Sequence, residues 1–117
     1  MDNSDVDPLL LDPTRLSIVS LLAATDWAEF GWVRDAVSLS DSALSKQVTN
    51  LSGQGYVEVE KGYVGKRPRT WLNLTPAGRD ALRSHVEALQ RIVTQAQRTG
   101  EAHTASGGQP PPSKSRP

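Results

Sequence analysis

The chain contains no cysteine, one methionine, one phenylalanine and two tyrosines in 117 residues, and its formal net charge is zero. Without cysteine there is no disulfide framework, no thiolate metal site and no cysteine nucleophile. The two histidines, His85 and His103, have no neighbour at metal-ligand spacing. They are expected to be structural or solvent-facing, with no metal or cofactor. No apolar run approaches the ~20 residues that a membrane span needs. The first residues are acidic, with Asp2, Asp5 and Asp7, which is the wrong opening for a signal peptide. The expectation is a cytoplasmic protein without membrane contact. No Ser/His/Asp set or carboxylate pair is spaced for catalysis, and Gly53-Gln54-Gly55 is too short for a phosphate loop, so an enzyme is not expected.

Zero net charge argues at first against a nucleic-acid partner, but its distribution reverses that argument. Residues 1–39 hold two arginines against seven acids, residues 40–79 hold six bases against three acids, and residues 80–117 hold five against three. Positive charge therefore concentrates in the middle of the chain. No acid lies between Lys61 and Arg79.

Cap residues and periodicity divide the chain. Residues 1–11 read as a loose acidic arm whose leucines, Leu9 to Leu11, dock elsewhere. Asp12-Pro13 starts a helix that runs to about Ala24, with apolar residues on several sides. Trp27 to Gly31 is a connector or edge strand, and a short helix follows to Val37. Ser38-Leu39-Ser40 is a turn. Ser40 or Asp41 caps a third helix to about Ser52, with Leu44, Val48 and Leu51 on one face and Ser42, Lys46 and Thr49 opposite. Gly53 and Gly55 end it. Tyr56 to Lys61 and Trp71 to Thr75 alternate as strands, with Val57, Val59, Leu72 and Leu74 inward, around a basic loop from Gly62 to Arg69. Thr75-Pro76 opens a last helix to about Arg98, and the composition beyond it, ending GGQPPPSKSRP, reads as a disordered tail.

A capped helix with small, hydrogen-bonding residues at its start, followed at once by a basic hairpin, suits duplex DNA. The helix enters the major groove and the hairpin tip rests on phosphates or in the minor groove. The candidate contacts on the helix are Ser40, Ser42, Ala43, Ser45, Lys46, Gln47, Thr49 and Asn50. On the hairpin they are Lys66, Arg67 and Arg69, with Gly65 opening the turn and Pro68 stiffening it. The helix carries no arginine, so few bidentate guanine contacts are expected and more of the reading falls to the hairpin and DNA shape. Trp71 should be partly exposed, packed across the hairpin or lining a pocket. Trp27 and Trp32 should close the core or a subunit interface, or line an effector pocket. The last helix is too apolar for so small a core to cover. Leu82, Val86, Leu89, Ile92, Val93 and Ala96 are therefore expected to pack on a second subunit.

Three segments, DPTRLSIVSLLA, LSDSALSKQVTNLSGQGYVEVEKG and VGKRPRTWLNLTPAGRDAL, together resemble the winged helix-turn-helix regulators of the MarR/ArsR type, and most of all their short winged-helix DNA-binding relatives. The resemblance covers about residues 12 to 95. It implies an α+β, mainly α fold: a winged helix-turn-helix with a two-stranded β-wing and a long C-terminal dimerisation helix over residues 75–98. It also implies a homodimeric transcriptional regulator, a repressor, on a palindromic operator. Metal-sensing relatives use Cys and His clusters that this chain lacks. The domain is expected over residues 12–98, between the arm at 1–11 and the tail at 99–117. The alternative is a winged helix that contacts protein or RNA without sequence-specific DNA binding. A small-molecule effector is neither required nor excluded by the residues.

Overall fold

The structure is a computed structural model and describes residues 4–112. Four helices surround a three-stranded antiparallel sheet. The order is a 3-10 helix (Pro8–Leu11), α1 (Pro13–Ala23), β1 (Ala28–Glu29), α2 (Phe30–Ala36), α3 (Asp41–Gly53), β2 (Val57–Val64), β3 (Arg67–Leu74) and α4 (Pro76–Ala105). In the sheet β3 is central, flanked by β1 and β2.

Hydroxyl and carboxylate caps start the helices at the positions expected from the sequence. Asp12 accepts from the Arg15 N–H at 2.9 Å, Ser40 from Ala43 at 3.1 Å and Thr75 from Gly78 at 3.0 Å, which satisfies otherwise orphaned donors. Three helices end in the same way. At the ends of α2, α3 and α4 the residues Ser38, Gly55 and Gly107 take φ of 56°, 84° and 93°. Each left-handed residue lets nearby N–H groups reach back into the last turn, as in Leu39 N–H to Arg34 O and Tyr56 N–H to Leu51 O.

The core is built from Ile18, Val19 and Leu22 of α1, Val33 of α2, Leu44, Val48 and Leu51 of α3, and Val57, Leu72 and Leu74 of the sheet. Leu10 joins them at 0% exposure. The described part of the expected loose arm is therefore part of the domain. Asp7 fixes it: its carboxylate accepts from Leu9 N–H and from the Tyr56 hydroxyl, and its own N–H donates to His85 Nδ1 at 2.9 Å. His85 is fully buried, and its Nε2 has no partner among the described residues. Residues 1–3 of the arm and 113–117 of the tail lie outside the described residues.

Two further expectations change. α4 does not stop near Arg98 but continues through Ala105, until Gly107 turns the chain. Thirty residues at ~1.5 Å each make a rod of about 45 Å, and the molecule measures 74 × 32 × 21 Å. The hairpin is longer than alternation suggested. Most of the presumed loop is strand, paired from Val57↔Leu74 out to Val64↔Arg67. Only Gly65 and Lys66 turn, and Gly65 at φ 63° supplies the positive angle that a two-residue hairpin loop demands.

Gly78 lets α4 dock. A Cβ there would run into the Tyr56 carbonyl oxygen and the Leu74 side chain. Arg79 then reaches the end of α1, donating to the carbonyls of Ala23 at 3.0 Å and Thr25 at 3.1 Å. This arginine, one of the middle segment's six bases, is a half-buried structural cap.

Candidate nucleic-acid interface

The turn between α2 and α3 sets the presentation of α3. Ser38 allows the chain to reverse within a few residues, and Arg34 on α2 bonds Asp41 in the first turn of α3 at 2.7 Å. Arg34 also bonds Asp35 at 2.9 Å. The hydrogen bond to Asp35, then that to Asp41, raises the guanidinium above its already high ordinary pKa. One cation thus offsets two carboxylates that would otherwise repel phosphate beside the start of α3.

α3 buries Leu44, Val48 and Leu51 and exposes Ser42, Ser45, Lys46, Thr49 and Asn50. Ser40 is occupied as the cap, with the Ser42 hydroxyl 3.3 Å from it, and Ala43 is half-buried. Thr49 donates to the Ser45 carbonyl at 3.0 Å. Gln47 is placed differently from the rest. It is half-buried, and its side-chain oxygen accepts from Arg15 of α1 at 3.3 Å. It points across the domain rather than off the exposed face of α3.

The hairpin stands beside α3 and the two form a cleft. Ser45, Thr49 and Ser52 line one wall and Lys61 and Thr70 the other, over a floor of Phe30, Val48, Val59 and Leu72. Val59, expected inside, is 39% exposed, because it lies on the floor of this open cleft. Lys61 lines the wall next to the hydroxyls of α3, although it is not among the contacts expected from the sequence. Its signal was available: in β2 it shares the inward period-2 positions with Val57 and Val59.

The three basic candidates on the hairpin do not act as one group. Lys66 is in the turn and Arg67 follows it, both exposed. Arg69 lies further down β3, where Nε is 3.3 Å from Glu29 of β1. The pairing Glu29↔Trp71 brings that carboxylate in from a distant part of the sequence. Among the described residues, Lys61, Lys66 and Arg67 carry no ion pair. Trp71 is half-buried and lies across Gly62 on the neighbouring strand. Trp27 and Trp32 are 42% and 51% exposed, so neither closes the core.

A helix exposed beside a cationic hairpin, with a cleft of polar walls and an apolar floor between them, is the arrangement found in one family of duplex binders. The family described as "Winged helix DNA-binding domain" matches residues 14–93. The chain belongs to that family. The hairpin β2–β3 is its wing, and α3 is the helix that precedes the wing. An uncharacterized protein of Methanocaldococcus jannaschii is 30% identical over 77 residues, covering 65% of this chain and 84% of that protein. Among solved structures, a transcriptional regulator homologue from Pyrococcus horikoshii OT3 superimposes with a TM-score of 0.69 at 24% identity, over 75% of this chain and 87% of that one. BpsR of Bordetella bronchiseptica, whose DNA binding is regulated by 6-hydroxynicotinic acid, gives 0.61 at 15% identity, over 86% and 81%. ZitR of Lactococcus lactis, a zinc-responsive MarR family member, gives 0.52 at 19% identity, over 76% and 60%. At these identities the likeness is one of fold. Among the described residues no group of three or more His, Asp or Glu is placed to hold a metal ion. Among the described residues no helix is long and apolar enough to cross a membrane.

Proposed function

We propose that this winged helix is a sequence-specific transcriptional regulator, a repressor that binds a palindromic operator as a homodimer. The observation that carries the reading is the shared cleft: the outer face of α3 and the inner face of the wing line one groove, with Lys61 inside it, while Lys66 and Arg67 are exposed at the wing tip beyond it. α3 enters the major groove with Ser42, Ser45, Lys46, Thr49 and Asn50 toward the bases. The cleft takes the sugar-phosphate backbone, with Lys61 and the Thr70 hydroxyl as phosphate donors. The wing tip then meets the next minor groove.

Few cations face the duplex in one copy, so affinity from phosphate neutralisation is small per subunit. Two copies supply the remainder. Val86 and Val93 of α4 are 47% and 54% exposed, Ala96 is exposed, and Leu82, Leu89 and Ile92 are only half-buried by the chain's own core. This uncovered stripe is the proposed subunit contact. A two-fold axis through it sets two α3 helices about one DNA turn (~34 Å) apart.

The test is the double variant Lys66→Ala/Arg67→Ala in fluorescence-anisotropy titrations at several salt concentrations. Removing one cation from a phosphate reduces the steepness of log K against log salt by about 0.9. The reading predicts weaker binding with a slope reduced by about 2 per subunit. Unchanged affinity and slope would remove the wing from the interface. Recovery of a protein or RNA partner, with no duplex bound, would favour the interaction-module alternative.

A further inference from the structure

The wing tip carries two exposed apolar side chains that its cations do not explain. Tyr63 is 74% exposed and Val64 is 58% exposed, immediately before the Gly65-Lys66 turn. Neither contributes to the core, and large apolar side chains on a projecting tip gain little from folding. Resting on the DNA-binding reading above, we propose that Tyr63 is a non-ionic contact. It lies against the sugar and base edges of the minor groove flanking each half-site and reads A·T against G·C there.

The geometry points to Tyr63 rather than Val64. Side chains alternate along β2, so Val57, Val59, Lys61 and Tyr63 share one face. Val59 and Lys61 line the cleft opposite Ser45 and Thr49. Tyr63 continues that line about 7 Å beyond Lys61, toward the tip. Val64 occupies the opposite face. The support beneath Tyr63 is stiff, since its cross-strand partner is Pro68, whose ring fixes φ. A two-residue turn makes Val64↔Arg67 the hydrogen-bonded pair and Tyr63↔Pro68 the non-bonded one, where a missing N–H costs nothing and side chains approach most closely. β1 pairs only as far as Trp71 and Leu72, so the other edge of β3 is open at Pro68.

The occupant follows from charge. Lys61 shares the face of Tyr63, Lys66 lies in the turn beyond it and Arg67 sits on the other face of the tip, and no acid occurs from Lys61 to Arg79. A polyanion that presents flat, partly apolar edges between its charges fits this surface. An A·T minor groove has that form, whereas the guanine amino group of a G·C pair obstructs it. Tyrosine immobilises only two side-chain torsions on contact.

The experiment uses the full chain and a duplex enriched from random oligonucleotides by the wild-type protein. Affinity and salt slope are measured for wild type, Tyr63→Ala, Tyr63→Phe and Lys66→Ala/Arg67→Ala. Each is tested on duplexes whose flanking A·T pairs are kept, changed to G·C, or changed to inosine·C, which keeps an unobstructed minor groove. Tyr63→Ala is expected to lose about tenfold in affinity with its salt slope unchanged, and to lose the preference for A·T and inosine·C flanks over G·C. Tyr63→Phe is expected to keep both. Equal affinity of Tyr63→Ala and wild type, or a slope that falls as in the Lys66/Arg67 variant, overturns the Tyr63 assignment and leaves the DNA reading intact. Failure of the wild-type chain to enrich any duplex overturns both. Circular dichroism of Tyr63→Ala must match wild type, as its exposure predicts. An unfolded variant would place Tyr63 in the fold instead.

Discussion

Ser38 is the one described non-glycine residue with positive φ, at 56°. A left-handed conformation costs an L-residue roughly 1–2 kcal/mol, and here it is imposed by the hydrogen bonds that close α2 and aim α3. Ser38→Gly removes the Cβ penalty without disturbing those bonds. It should raise stability by about 0.5–1 kcal/mol in urea denaturation, with a loss of stability contradicting the cap assignment. Tyr56 makes a second residue-scale prediction. Burial first, and then its hydrogen bond to Asp7, push the phenol from 10.0 up to about 12. The folded state favours the neutral phenol, so its contribution is complete below pH 10. It is lost as pH rises from 10 toward about 12. Tyr56→Phe should remove this alkaline step from stability-pH curves, at a cost of about 1 kcal/mol at neutral pH. An unchanged step would assign it to another group.

At the scale of elements, Gly78 and Gly53 make a contrasting pair. Gly78 sits against the Tyr56 carbonyl and Leu74, whereas a Cβ at Gly53 meets nothing within 4 Å. Gly78→Ala should therefore destabilise by about 2 kcal/mol or more through overpacking. Gly53→Ala, at the end of α3, should be neutral or stabilising by up to about 1 kcal/mol. Calorimetric Tm values would separate them, and equal shifts would contradict the docking of α4 on the β2 entry. The elements differ in how far they can be read from residues alone. Helix starts announce themselves because a cap acts on its own N–H groups three residues away, as at Asp12, Ser40 and Thr75. The end of α4, set by Gly107, is hidden in the sequence, because polar residues after Arg98 resemble a tail while remaining compatible with helix. Pairings between distant segments leave almost no local trace. Glu29 with Arg69, Arg15 with Gln47, and Asp7 with His85 become visible only once β1, α1 and the first residues are in place.

The whole molecule combines a small domain with a helix that outruns it. The core covers Gly78, His85 and Ala88 of α4 and leaves Val86 and Val93 open. If this stripe joins two subunits, Val86→Glu/Val93→Glu should give monomers in sedimentation velocity and lose operator affinity together, with helix content retained. A dimer that survives both charges would place the contact elsewhere. The proposed interface is thus distributed: α3 supplies small polar contacts, Lys61 and the wing tip hold the backbone, and two-fold pairing multiplies both.

That claim is tested most directly by selecting the purified chain against random duplex oligonucleotides and sequencing what it retains. The account predicts one enriched motif with two-fold symmetry and half-sites centred about 10 base pairs apart, or a multiple of that spacing. Enrichment of a single asymmetric half-site, or of no duplex sequence at all, would contradict it.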